Sequence, residues 1–205
     1  MDDWLNGDGF WELQLKKHTM RKLSMDELGR KTPEMYRASE KFPVVLVLDN
    51  IRSMMNTGSV FRTADAFLLE GVCLCGFTAT PPHREIHKTA LGATESVAWT
   101  YFEKTTDAIL QLKAAGFTVV AIEQTTDSIN LLNFQPDQKK KYAFVFGNEV
   151  KGVDDEVLAL CDLCIEIPQF GTKHSLNVSV TAGMVVWDVF SKTAKPRSTQ
   201  TKTIS

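Results

Sequence analysis

Short apolar runs alternate with amphipathic segments along most of the chain, and this alternation predicts the secondary structure. The run VVLVL at 44–48 predicts a buried strand, because it is continuous and bounded by Pro43 and by polar residues. From Asn56 the apolar positions recur at the spacing of one helical face, which predicts a helix at 56–69 with Asn56 as its N-cap. Further strands are predicted at 71–75, 97–102, 117–122, 142–146 and 163–167, and further helices at 106–115, 153–160 and 175–190. This order predicts an α/β fold with a largely parallel sheet and helices on both faces.

The first 41 residues are predicted to form a helical extension of this core. Ser24 and Glu27 have the spacing of a capping box, which predicts that a helix starts there. Pro33 interrupts that helix, so the chain either kinks at this residue or begins a new helix at Thr32.

The α/β domain is predicted to span residues 42–191 and to be followed by a basic tail. Residues 192–205 contain several Lys and Arg side chains and no Asp or Glu, and we expect this tail to be flexible. Basic segments can meet a phosphate backbone by counterion release, but tails of this composition are also common as solubilising ends. The tail alone therefore does not identify a partner.

Composition is that of an ordinary globular protein. Hydrophobic residues make up 43% of the 205 residues, which is enough for one sizeable core. No apolar run approaches the roughly 18 residues of a membrane span, and the acidic start MDDWLNGDGF lacks the order of a signal peptide. We therefore expect a cytoplasmic protein without a membrane partner. The net charge of −2 provides no global basic field that would indicate nucleic acid.

The four cysteines favour core packing over a metal site. They form two pairs, Cys73 with Cys75 and Cys161 with Cys164, and four thiolates are a possible ligand set for zinc. The first pair has C-x-C spacing, however, and neither pair lies in a Gly-rich knuckle. Because buried cysteine usually behaves as a small hydrophobic residue, we expect no metal.

Loops that follow strands are the candidate functional regions, because parallel sheets bind ligands beyond the carboxyl ends of their strands. Besides the polar turn after the first strand, two such loops are unusual, GNEVKG at 147–152 and IPQFGTKHSLN at 167–177. The stretch 77–94 is predicted to be a long irregular loop, and its length favours a functional or mobile segment. Neither a dinucleotide-binding fingerprint nor a P-loop motif occurs in the chain. The residues alone thus predict converging polar loops without naming a reaction.

Arg62 is the candidate anion-binding residue of the first loop and helix. Helical side chains lean toward the helix N-terminus, so we expect the guanidinium of Arg62 to lie over Gly58 and Ser59. A guanidinium beside a helix N-terminus favours an anion such as phosphate. A surface arginine on an ordinary amphipathic helix fits the same pattern equally well.

Three motifs together resemble the signature of the SpoU (TrmH-like) branch of the SPOUT RNA methyltransferases. They are NTGSVFRTADAF at 56–67, FGNEVKGV at 146–153 and IPxxGxxxSLNVSVxAG at 167–183, and the match extends over 44–189. The resemblance implies an α/β fold with a C-terminal deep trefoil knot and a homodimer. It also implies transfer of a methyl group from S-adenosyl-L-methionine to a ribose 2′-hydroxyl of RNA. A tRNA is favoured, for example a guanosine in the D-loop, and rRNA is the second possibility.

The resemblance also assigns roles to residues at matching positions. The implied catalytic residue is Arg62, accompanied by Asn56, Glu149, Ser175 and Asn177. The implied pocket for S-adenosylmethionine consists of Ile122, Gly147, Asn148, Val150, Ile167 and Leu176. Additional RNA contacts are assigned to Arg52, His83, Arg84 and Lys88.

Simpler roles fit several of these residues as well. Glu149 could pair with Lys151, and Asn56, Ser175 and Asn177 could be helix caps. A non-catalytic RNA-binding protein on a methyltransferase scaffold is the alternative to the enzyme, and a small-molecule methyltransferase is a third hypothesis.

Overall fold

The computed structural model describes residues 21–24 and 26–194. By their internal contacts, the residues divide into two compact units between Lys31 and Thr32, whereas the sequence places the boundary after residue 41. The predictions made for residues 1–20 and for the tail from residue 195 onward lie outside the described residues.

A single capped turn is the regular feature of the described part of the first unit. Ser24 N donates to Glu27 Oε2 at 2.8 Å, and Glu27 N donates to Ser24 Oγ at 3.3 Å. This reciprocal pair is the predicted capping box. The turn ends at Gly29, so the box does not start a longer helix.

Helix α1 (Pro33–Ala38) begins at Pro33, with Thr32 as its N-cap, which is one of the two alternatives that the sequence left open. The proline stands in the first turn, where its missing N–H costs no helical hydrogen bond. Tyr36 is buried, and its hydroxyl donates to the carbonyl oxygens of Ala64 and Leu69. Helix α1 is therefore packed on the α/β core, although the sequence assigns it to the extension.

The described part of the chain contains seven strands in one sheet, and every pair of neighbouring strands is parallel. The strands are β1 (Phe42–Asp49), β2 (Leu69–Cys75), β3 (Trp99–Phe102), β4 (Phe117–Ile122), β5 (Ile129–Asn130), β6 (Lys141–Phe146) and β7 (Leu163–Glu166). Their spatial order is β3-β2-β1-β6-β4-β7-β5. The predicted α/β fold with a parallel sheet is confirmed, and only the two-residue strand β5 has no counterpart among the predicted strands.

Six further helices lie between or after these strands within the described residues. They are α2 (Met54–Ala66), α3 (Arg84–Ala90), α4 (Ala93–Ser96), α5 (Thr105–Ala114), α6 (Asp155–Leu158) and α7 (Val178–Thr193). The prediction of an irregular loop over 77–94 is wrong, because α3 and the start of α4 lie within it. The predicted start of the last helix at 175 is also wrong, because α7 begins three residues later.

The sheet separates two apolar layers, as the alternation of side chains along a strand requires. One layer packs Leu46 and Phe144 against Phe61 of α2 and Val185 of α7. The other layer packs strand residues of opposite orientation, such as Val47, against α5 and α6. At their carboxyl ends, the central strands continue into loops.

The first pair of cysteines is packed in the core, as the sequence predicts. Cys73 and Cys75 are buried on β2, and burial raises the pKa of the Cys73 thiol to about 12. Cys161 and Cys164 are half-buried free thiols. Cys73 is 7% exposed and packs against the apolar layer that contains α5 and α6, so it is a packing residue.

The last described helix extends into the stretch that the sequence assigns to the basic tail. Lys192 pairs with Asp188 at 2.8 Å and donates to the carbonyl oxygens of Leu131 and Phe134. The prediction that the flexible tail begins at residue 192 is therefore wrong for this residue. Among the described residues, no helix combines the length and the apolar character that crossing a membrane requires.

Candidate active site

A cleft of about 330 Å³ opens at the carboxyl ends of three neighbouring strands, β6, β4 and β7. This is the position at which parallel α/β sheets bind ligands. The residues that the resemblance assigns to S-adenosylmethionine all line this cleft, together with Glu149 and Ser175: Ile122, Gly147, Asn148, Val150, Ile167 and Leu176. The structure thus brings together residues that lie up to 54 positions apart (176 − 122) in the sequence.

The wall that follows β6 is a tight turn that only glycine permits at its first position. Asn148 and Gly152 exchange two backbone hydrogen bonds of 2.9 Å, which folds the turn back on itself. A Cβ atom at Gly147 would clash with the backbone of Gly152 and Val153. The shape of this side of the cleft therefore depends on the missing side chain.

We expect Gly147→Ala to lower the free energy of unfolding by about 1–3 kcal/mol, because the added methyl group meets backbone atoms that cannot rotate away. Thermal unfolding of the purified chain measures this loss. Gly171→Ala is the matched control, since a Cβ at Gly171 meets no atom within 4 Å. Equal melting temperatures for the two variants would contradict the steric argument.

Glu149 joins the loop that follows β6 to the start of α2. Its Oε2 accepts a hydrogen bond from Arg52 N at 2.9 Å, and its Oε1 accepts from Ser53 N and from Asn56 Nδ2, each at 3.1 Å. Partial burial raises the pKa of this carboxyl, but the N–H donors lower it by more, so the pKa lies below the ordinary glutamate value. The proposed pairing of Glu149 with Lys151 is not among its contacts; the carboxylate instead holds the N-terminus of a helix.

Asn56 connects this carboxylate to the loop that follows β7. Its Nδ2 donates to Glu149 Oε1, and its Oδ1 accepts from Asn177 Nδ2 at 3.0 Å. The prediction that Asn56 is the N-cap of α2 is wrong, because Ser53 Oγ accepts from Asn56 N and caps the helix. The side chain of Asn56 is therefore free to form the tertiary link.

Asn177 is the N-cap of α7 as well as a partner of Asn56. Its Oδ1 accepts from the backbone N–H groups of Ser179 and Val180. The three loops after β1, β6 and β7 are thus joined by one continuous chain of side-chain hydrogen bonds. Ser175 lines the cleft in front of α7 and is not a cap of that helix.

Asn148 forms a further link between the loop after β6 and the loop after β1. Its Nδ2 donates to the carbonyl oxygen of Asn50 at 2.7 Å, and its Oδ1 accepts from Val150 N and Lys151 N. Asn148 therefore shapes the cleft through both loops.

Arg62 lies apart from the cleft within one chain. It lines a separate shallow depression of about 470 Å³ together with Ser59, Lys88 and Gly183, and none of the residues around this depression lines the cleft. The guanidinium is exposed and has no hydrogen-bond or ion-pair partner among the described residues. Ser59 is beside it as expected, but Gly58 is buried and directed at α3. One chain alone does not bring Arg62 to the cleft.

The side chains predicted to contact RNA occupy different positions. Arg52 and Arg84 are exposed. His83 is the N-cap of α3, and its Nδ1 accepts from Glu85 N at 3.2 Å. Lys88 pairs with Glu85 at 2.7 Å and lies beside Arg62. Two of the four, His83 and Lys88, therefore also have local structural partners.

Several cleft residues are absent from the set that the sequence predicts. Glu123 and Gln124 follow β4 directly, His174 belongs to the loop before α7, and Thr181 lies on α7. The strand predicted at 117–122 ends immediately before Glu123, so the rule that ligands bind after strands could have identified it. No comparable signal distinguishes His174 or Thr181.

Known proteins share this fold and these loops. The chain matches the SpoU rRNA methylase family over residues 43–187. It is 33% identical over 144 residues to the 23S rRNA (guanosine-2′-O-)-methyltransferase RlmB of Neisseria meningitidis serogroup B, an alignment that covers 70% of this chain and 56% of that relative. The chain thus spans little more than half the length of this curated relative.

Solved structures agree with the family match. An AdoMet-bound rRNA methyltransferase from Sinorhizobium meliloti superposes with a TM-score of 0.68 at 28% identity, covering 79% of this chain and 61% of that one. The TrmH/SpoU tRNA modifying enzyme of A. aeolicus superposes with a TM-score of 0.67 at 25% identity, covering 78% and 79%. The family match covers well over half of the chain and contains all three linked loops. The chain belongs to the SpoU rRNA methylase family.

Proposed function

We propose that this protein transfers a methyl group from S-adenosylmethionine to a ribose 2′-hydroxyl of RNA. The observation that carries the proposal is the hydrogen-bonded chain Asn177–Asn56–Glu149, which joins the three signature loops beside the cleft. The name of the Neisseria relative, a guanosine-2′-O-methyltransferase, supports the ribose target. The AdoMet-bound Sinorhizobium structure supports the methyl donor.

The residues of the cleft fit the proposed methyl donor. Its volume falls within the roughly 300–1,000 Å³ of small-molecule sites. Ile122, Ile167 and Leu176 offer an apolar surface to the adenine ring. Polar groups of the same walls are available to the ribose and the amino acid end. S-adenosylmethionine, when bound, supplies an electrophilic methyl group on sulfur.

Arg62 is proposed to stabilise negative charge on the RNA. A guanidinium is a poor general base, but its planar set of N–H donors matches a phosphate or a developing alkoxide. The exposed side chain has no competing partner among the residues that the structure describes. The family proposal that this arginine takes the hydroxyl proton would require a strongly perturbed environment.

The site is proposed to be completed by a second copy of the chain. Val180, Met184 and Trp187 lie on one face of α7 and are 52%, 40% and 59% exposed, which is unusual for large apolar side chains at this spacing. Gly183 of the same helix lines the depression that holds Arg62. A homodimer that buries this face would place Arg62 at the interface, from which it could reach the partner's cleft. The trefoil knot is proposed from the family resemblance alone.

The RNA substrate is proposed to be a tRNA, with rRNA as the second candidate. The A. aeolicus neighbour, of which the match covers 79%, is named a tRNA modifying enzyme, whereas the Neisseria and Sinorhizobium proteins, of which it covers only 56% and 61%, are named for rRNA. Mapping of 2′-O-methyl sites in total RNA, with and without the gene, decides between them. We expect at least one methylated ribose to be lost, and its position names the substrate.

An unchanged methylation map would contradict the proposed function. Calorimetry of the purified chain with S-adenosylmethionine then distinguishes the remaining hypotheses. Absence of binding would favour the non-catalytic RNA-binding protein. Binding together with methylation of small molecules in the absence of RNA would favour a small-molecule methyltransferase.

A further inference from the structure

Glu123 places a rigidly held carboxylate in the cleft. It follows β4, the middle one of the three strands whose ends form the cleft, and it lines the cavity. Its Oε2 accepts from Val153 N at 3.0 Å, and its Oε1 accepts from Gln124 N at 2.8 Å. A Cβ at Gly152 would clash with Oε2, so the carboxylate packs directly on the glycine backbone. Two loops therefore fix the orientation of this side chain.

The other acidic residues of the cleft differ from Glu123 in how they are held or in the acceptor sites that they keep free. Glu149 is also held in place, but three N–H groups at the start of α2 take three of its about four acceptor sites, so it keeps no pair of free acceptors on its two oxygens. Glu166 also lines the cleft, but its carboxylate has no hydrogen-bond partner among the described residues and is not fixed in orientation. Among the described acidic side chains of the cleft, Glu123 is thus the one that is both held in place and left with a free acceptor site on each oxygen.

The remaining acceptors of Glu123 form a defined pair. A carboxylate offers about four lone-pair sites on its two oxygens, and each oxygen of Glu123 uses one of them for a backbone N–H. One site on each oxygen is left, at the fixed spacing of the carboxylate. Two neighbouring hydroxyl groups, such as a ribose 2′,3′-diol, present donors at a matching spacing. An acidic side chain after a strand binds ribose hydroxyls in other parallel α/β proteins.

We propose that Glu123 binds the ribose diol of the adenosine part of the methyl donor and makes the cleft selective for ribonucleosides. This proposal rests on the proposed function, because it takes the cleft to be the S-adenosylmethionine site. It assigns the apolar residues around Ile122 and Ile167 to the base and the carboxylate beside them to the sugar.

The test is calorimetric binding to the purified full chain, with S-adenosylhomocysteine, methylthioadenosine and 2′,3′-dideoxy-methylthioadenosine as ligands. Hydrogen bonds to a charged group predict that Glu123→Gln weakens binding of the first two ligands by about 10-fold to 100-fold. Asp127→Asn is the matched control, because it removes an exposed carboxylate of the same loop that does not line the cleft. The melting temperature of each variant shows whether it is folded.

The dideoxy ligand keeps the proposal testable if Glu123→Gln does not fold. The wild-type chain is expected to bind it about 10-fold to 100-fold more weakly than methylthioadenosine, and the variant is expected to show no such difference. Equal wild-type affinities for these two ligands would overturn the proposal. So would a loss confined to S-adenosylhomocysteine, because Glu123 would then pair with the ammonium group. Absence of any binding to the wild-type chain would overturn the proposed function itself, and this proposal with it.

Discussion

Arg62→Lys is expected to lower the rate of methyl transfer to RNA by at least about 100-fold, the loss typical of removing one well-placed donor to a developing anion. An ammonium group is a point charge and cannot reproduce the planar fork of the guanidinium. Because Arg62 lies outside the cleft and has no partner among the described residues, affinity for S-adenosylmethionine and thermal stability should stay unchanged. Single-turnover rates with RNA, calorimetry and thermal unfolding measure the three quantities.

Arg37→Lys makes the same exchange on an exposed arginine of α1 and serves as the control. Arg37 pairs with Glu34 and the carbonyl oxygen of Glu95, remote from the loops of the cleft. Turnover of Arg62→Lys close to that of wild type would exclude both the base and the charge-stabilising role of Arg62. A parallel loss of cofactor affinity would show that Arg62 contacts the methyl donor as well as the RNA.

Mixed dimers extend this experiment to the composite site. Leu176→Asp places a charge in the apolar part of the cleft, whereas Arg62→Ala leaves the cleft intact. If the arginine of one copy serves the cleft of the other, random reassociation of equal amounts should restore about a quarter of the wild-type activity, since one site in four is complete. No recovery in a mixture that forms heterodimers would contradict the shared site.

Much of the fold could be predicted from the sequence, because the patterns that indicate its strands are local. Buried parallel strands are continuous apolar runs, and β1 and β4 could be read directly from VVLVL and FTVVAI. The stretch 77–94 was less accessible, because Pro81 and Pro82 indicate a loop and the helix that follows has only seven residues. Its N-cap is His83, whose ring nitrogen replaces the usual hydroxyl or carboxylate oxygen.

Helix boundaries were misplaced where a side chain has a tertiary partner. Ser53 and Asn56 are both good N-caps by type, and nothing nearby in the sequence decides between them. The decision comes from Glu149, which binds Asn56 from 93 positions away and leaves Ser53 to cap the helix. A pattern read along one segment does not contain this contact.

The candidate site was predictable to the extent that its residues belong to recognisable motifs. The six residues assigned to the cofactor lie around one cleft because the loops that carry them follow adjacent strands. Glu123 follows the middle strand of the three but belongs to none of the motifs. Its proposed role in binding the ribose depends on two hydrogen bonds to backbone N–H groups. These bonds can be seen only in the folded chain.

Glu149→Gln is expected to loosen the start of α2 while leaving the rest of the fold intact. Both carboxylate oxygens accept N–H groups, so an amide must turn its own N–H₂ group toward a donor. Removal of hydrogen bonds to a charged group predicts amide exchange at Arg52 and Ser53 that is faster by about 10-fold to 100-fold. Hydrogen exchange measured residue by residue tests this. Glu156→Gln is the control, because it removes an exposed carboxylate from the first turn of α6.

The hydrogen bonds of Glu149 also make the stability of the start of α2 depend on pH, and the direction of this dependence follows from the lowered pKa of Glu149. Because the pKa of Glu149 is lowered in the folded chain, its stabilising contribution is fully present above the ordinary glutamate pKa and is lost as the pH falls through the folded pKa. Protection of Arg52 and Ser53, corrected for intrinsic exchange, should therefore decrease on acidification in the wild-type chain and remain low and flat in Glu149→Gln. Methyl transfer should fall with this protection, since Asn56 and Asn177 depend on the same carboxylate for their alignment. A Glu149→Gln chain that keeps both its protection and its turnover would mean that the three loops are held together by packing alone.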